Sequence, residues 1–129
     1  MSAENVTTVR NLYDAYSRRD VAAISAALAP DIELTQTEQL PWGGQYRGHD
    51  GAMRFFGTLV AHLDSQVDLE RVFAAGDRVV ATGHTRGTVR ATGKRFDVPV
   101  AHVYALELGK VTRIEFYIDT PLMLAALQP

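Results

Sequence analysis

From Gln66 onward the chain is written almost entirely in long alternating runs. These are Gln66–Ala75, Arg78–Arg90, Lys94–Glu107 and Val111–Ile118, separated by Gly76-Asp77, Thr92-Gly93 and Gly109-Lys110. Side chains on a strand change face with every residue, so such runs read as strands. Short glycine-bearing turns between them mean consecutive antiparallel hairpins. That one feature commits the second half of the chain to a sheet and leaves the first half to cover it.

The first half has a different period. Val6, Val9, Tyr13 and Tyr16, with Leu12 beside them, recur at helical spacing. Asp20 suits the N-cap of a second helix that buries Val21, Ile24 and Leu28 and closes at Pro30. Asp31–Glu38 alternates, with Ile32 and Leu34 on one side, and by parity Gln36 and Glu38 follow them. Gln39–Gly48 reads as a loop carrying the one tryptophan, Trp42, which is expected to act as a lid. Asp50 is expected to cap a third helix with Met53, Phe56, Val60 and Leu63 as its stripe, widened by Phe55 and Leu59. Thr120 with Pro121 opens a last short helix. Helices early and antiparallel strands late give an α+β class. The expected architecture is a curved antiparallel sheet wrapped around the N-terminal helices, cone-shaped, with an internal pocket.

At 129 residues the chain is expected to form one domain over 1–129. A formal charge of −2, with no basic run longer than Arg18-Arg19, gives no footprint for nucleic acid. No apolar run approaches the ~20 residues that span a bilayer, and Met1–Arg10 lacks a signal-peptide core. A cytoplasmic location is the resulting expectation. The absence of cysteine excludes disulfides and thiolate metal sites. The histidines have no third ligand at convincing spacing, and no Walker loop or dinucleotide fingerprint is present, so neither metal nor cofactor is expected.

Several residue groups carry possible chemistry. Phe96, Val98, Val100, His102, Tyr104 and Leu106 share one face. His102 therefore points with the larger apolar side chains, either as a hydrogen-bonded core residue or as a proton-transfer group in a pocket. His84 shares a face with Thr82, Arg86 and Thr88, which lines a pocket mouth or faces outward. Tyr104 and Arg86 suit charge stabilisation or substrate orientation, and Glu38 is an alternative base. Tyr16, Gln36, Trp42, Phe56, Leu59 and Phe116 are candidate pocket lining. The opposite sheet face, with Ala101, Val103, Arg113, Glu115 and Tyr117, is mixed enough to meet a second copy, so a homodimer through the sheet is expected.

Four segments, in this order, carry a resemblance. They are Leu12-Tyr13-Asp14-Ala15-Tyr16 with Asp20; Ala29-Pro30-Asp31-Ile32-Glu33; Pro41-Trp42-Gly43-Gly44-Gln45-Tyr46-Arg47-Gly48; and Gly109-Lys110-Val111 leading to Tyr117-Ile118-Asp119-Thr120. Together they resemble the SnoaL-like polyketide cyclases and ketosteroid isomerases of the superfamily named after nuclear transport factor two. The resemblance implies a cofactor-independent enzyme that isomerises or cyclises a hydrophobic carbonyl or cyclic compound by acid–base proton transfer. It equally admits a non-catalytic ligand-binding or dimerisation module of the same fold. Ketosteroid isomerases use a helix tyrosine and a strand carboxylic acid as oxyanion donors, with an aspartate base. Counting along this chain puts Leu12, His102 and Gln36 at those places. The aspartate–arginine–aspartate relay of limonene epoxide hydrolases is matched only by His84, Arg86 and Phe116. Asp119 is the nearest match to the cyclases' pocket aspartate.

Overall fold

The computed structural model describes residues 2–129. Its elements are α1 (Ser2–Ser17), α2 (Val21–Ala27), β1 (Leu28–Gln36), β2 (Gly44–Arg47) and α3 (Gly48–His62). They continue with β3 (Leu63–Ala75), β4 (Arg78–Val89), β5 (Arg95–Glu107), β6 (Lys110–Ile118) and α4 (Thr120–Leu127). The late strands form the expected antiparallel series β3-β4-β5-β6.

The sheet as a whole corrects the expected shape. Its six strands run in the order β2-β1-β6-β5-β4-β3, with β2 and β3 as unjoined edges. It is therefore open, neither curled nor closed into a cone. It is also mixed, because β1 lies parallel to β6 while β2 pairs antiparallel with β1. Alternation along each run fixes faces but not strand order, so a parallel neighbour far away in sequence left no local mark.

Four boundaries also move. Residues 44–47, read as loop, form β2. Pro30 lies inside β1, where the pairing with β6 is irregular between Leu28 and Glu33; a residue without an N–H is tolerated there. Asp50 sits in the first turn of α3, whose N-cap is Arg47 without a side-chain bond. At α4 the cap is Asp119, whose carboxylate accepts from the Leu122 N–H at 3.1 Å.

The helices α1 and α3 cover one sheet face. Between them and the sheet lies the core, including Val9, Ile32, Leu34, Phe55, Val98 and Val111. Gly83 and Gly87 allow β3 to cross β4 closely, since a Cβ would fall 2.1 Å from the Asp68 carbonyl oxygen and 1.9 Å from that of Asp64. No helix among the described residues is long and apolar enough to cross a membrane.

Candidate ligand cavity

Between the helices and the inner sheet face is a cavity of about 90 Å³. A single water needs only roughly 10–15 Å³ on this measure, so the space exceeds a packing defect. The walls are mostly apolar, and none of the lining residues is Asp, Glu, Lys or Arg.

His102 stands at the polar end. Its position on β5, between Val100 and Tyr104 on the same face, follows from alternation, and it is 8% exposed. A bond to α1 holds it in place: the Tyr13 hydroxyl lies 2.6 Å from His102 Nδ1. Tyr104 in turn donates to the Tyr13 oxygen at 2.7 Å. The Tyr13 oxygen can accept from Tyr104 while its own proton is directed at Nδ1. A neutral imidazole has one donor and one acceptor nitrogen, so in that wiring the proton sits on Nε2. Among the described residues Nε2 has no partner, and no sealed side-chain polar atom is left unpaired. Nε2 therefore reaches accessible space, and His102 lines the cavity.

Burial sets the charge state. It lowers the His102 pKa from 6.5 to about 4, so the ring is neutral at neutral pH. Burial raises the Tyr13 pKa, and the neighbouring Tyr104 adds to the effect. Burial raises that of Tyr104 against the opposing bond to Tyr13. All three groups stay uncharged, which fits an apolar site where an isolated charge is costly. Phe116 packs edge-on against His102 at 4.9 Å and stacks on Phe55 at 4.9 Å, fixing the ring from the side.

The other end is built from β1 and the loop after it. Trp42 is 1% exposed, and its indole N–H donates to Gln36 Oε1 at 3.0 Å. The expected lid is thus a fixed wall, braced against His62. A third polar pair, Tyr16 with Ser65 at 2.8 Å, joins α1 to β3. Arg19 lies over the Tyr16 ring at 4.2 Å and donates to the Tyr16 and Ser65 carbonyls, which anchors that pair.

Of the candidates named from sequence, His102, Tyr104, Tyr16, Gln36, Trp42, Phe56, Leu59 and Phe116 meet in this cavity. His84, Arg86 and Glu38 do not. β4 turns Val79, Ala81 and Thr85 inward, so His84 and Arg86 face outward. There His84 Nδ1 meets Asp97 at 2.6 Å, while Arg86 binds Asp97 and Asp68. β1 ends at Gln36, and Glu38 sits exposed in the following turn. The helix tyrosine facing His102 is Tyr13 rather than the Leu12 position reached by counting. Tyr13 already belonged to the apolar stripe of α1, and that membership was the available signal. Asp119 serves as the α4 cap. Among the described residues no group of three His, Asp or Glu converges as metal ligands would.

The comparisons with known proteins agree with this geometry. The model of the SnoaL-like domain matches residues 9–114. The chain belongs to the SnoaL-like family. An uncharacterised protein of Mycobacterium tuberculosis is 32% identical over 114 residues, 86% of each chain. The solved structure of an NTF2-like protein from Burkholderia thailandensis is 37% identical, with a TM-score of 0.89 over 100% of this chain and 99% of that one. An NTF2-like protein of unknown function from Burkholderia pseudomallei is 30% identical, with a TM-score of 0.91 over the whole of both chains.

Proposed function

We propose that this SnoaL-like chain binds an uncharged, apolar, carbonyl-bearing small molecule and activates that carbonyl by a hydrogen bond from His102 Nε2–H. The observation that carries the reading is the bonded chain Tyr104–Tyr13–His102; with the Tyr13 hydroxyl as donor to Nδ1, one N–H is left for the cavity. A preorganised donor in a water-poor site favours the developing oxyanion of an enol or cyclisation transition state. Such a donor contributes roughly 10²–10³ in rate. The reaction class is enolisation of the isomerase or cyclase type, with His102 donating a hydrogen bond to the carbonyl oxygen and solvent water taking the α-proton.

A second reading, sequestration without turnover, is favoured by one observation. No lining residue is a carboxylate, and Gln36 occupies the place that the family resemblance gives to the base. One experiment separates the two. The protein is mixed with 1-tetralone in deuterated water, and exchange of the α-hydrogens is followed by NMR. The catalytic reading expects accelerated exchange that Tyr13→Phe reduces and His102→Ala reduces about a hundredfold. Binding with no acceleration supports sequestration. No binding at all refutes both.

A second copy of the chain is the proposed partner of the outer sheet face, where Ala101 and Val103 lie beside the exposed Tyr117. Sedimentation should give a dimer; a single monomeric species at high concentration would refute it.

A further inference from the structure

We infer that the cavity recognises two acceptor oxygens at once, one at His102 and the second at Gln36, and so takes an uncharged dione or quinone. The inference rests on the carbonyl-binding reading above and extends it.

An indole N–H can only donate. The Gln36 atom facing Trp42 is therefore its oxygen, at 3.0 Å. The amide nitrogen then points away with two hydrogens to give. Among the described residues it has no partner, and it is not a sealed orphan. Gln36 lines the cavity.

Register places the two donors at opposite ends of one row. In the parallel ladder Thr35 stands beside Glu115, which puts Gln36 beside Phe116. Phe116 pairs with His102 in the next ladder. Gln36, Phe116 and His102 thus cross β1, β6 and β5 side by side. Neighbouring strands are ~4.8 Å apart, so the two donor-bearing backbones are about 10 Å apart, with an aromatic ring between them. With Trp42 bonded to the Gln36 oxygen and Tyr13 donating to His102 Nδ1, each end offers an N–H to the cavity. With no charged side chain in the lining, an ionised ligand would be buried without a counter-charge. The chemistry that satisfies this row is a flat apolar body with a neutral acceptor oxygen at each end.

Three bicyclic probes test it by calorimetry: 1-tetralone with one carbonyl, 1,4-naphthoquinone with two, and 1-naphthoate as the anion. The chain has no cysteine to be alkylated by the quinone. The quinone should bind about tenfold more tightly than 1-tetralone, the effect of one added hydrogen bond. The naphthoate should bind more weakly than either. In Gln36→Met the ratio of quinone to 1-tetralone affinity should fall from about ten to about one. A second readout needs no variant: the Gln36 side-chain amide resonances should shift with quinone and not with 1-tetralone. Binding of 1-tetralone with no gain for quinone, or a gain that survives Gln36→Met, overturns this inference alone. Failure of both neutral probes to bind overturns the carbonyl reading with it.

Discussion

His84 and His102 sit on adjacent strands of one sheet, and the fold gives them opposite chemistry. His102 faces inward, bonds to a tyrosine and loses its charge. His84 faces outward, with Asp97 at 2.6 Å and Glu70 at 3.7 Å. The bond from His84, with Arg86 beside it, lowers the Asp97 pKa against an opposing desolvation. The residue type is the same, so the sheet face decides. A ring buried among apolar side chains keeps one proton and becomes a fixed donor. A ring among carboxylates on a solvated face becomes part of a network of partly exposed, individually weak pairs.

Mutation should separate the two faces most sharply. His102→Ala removes a buried, bonded ring and should cost about 2–4 kcal/mol of stability. His84→Ala on the outer face should cost under about 1 kcal/mol. Denaturant unfolding of both variants measures the gap, and equal losses would erase the contrast.

Acid should separate them next, in different windows. The folded pKa of His102 is about 4 and its ordinary value is 6.5. Its folded value is depressed, so the unfolded chain binds the proton first as pH falls. The contribution is fully present above pH 6.5 and is lost as pH falls toward 4, by up to about 3 kcal/mol. Asp97 is also depressed, but from 3.8, so its contribution is lost only at lower pH. Unfolding free energies from pH 8 to 3.5 should therefore show a slope between 6.5 and 4 that His102→Gln flattens.

A smaller effect sharpens the inner face itself. Tyr13→Phe strips the partner from both His102 Nδ1 and the Tyr104 hydroxyl, and should cost about 1–3 kcal/mol. Tyr104→Phe leaves the Tyr13–His102 bond and should cost about 1 kcal/mol. If Tyr104→Phe proves the more damaging, the order of the relay is wrong. Least of all, His84→Ala should leave 1-tetralone affinity unchanged, because the outer network does not reach the cavity.

The same contrast explains what could be read from sequence. Alternation on β5 put His102 and Tyr104 with Phe96, Val98 and Val100, because those side chains are large enough to declare a core face. On β4 it grouped His84 with Arg86 but could not say which way they point. The inward face there is Val79, Ala81, Gly83 and Thr85, no bulkier than the outward one. Glu38 was carried inward by a parity that holds only while the strand continues, and β1 stops at Gln36. The parallel pairing of β1 with β6, which brings Gln36 into the row with His102, joins segments some 80 residues apart and has no local signature. Tyr13 was visible as a member of a stripe, but the reach of its hydroxyl to His102 depends on how α1 lies on the sheet.

The most direct test of the central claim is the protonation state of His102, read from imidazole nitrogen shifts in ¹⁵N-labelled protein. The account predicts a neutral ring with its hydrogen on Nε2, unchanged from pH 8 down to about 5 and titrating near 4. A ring that titrates near 6.5, or one that carries its hydrogen on Nδ1, would contradict it.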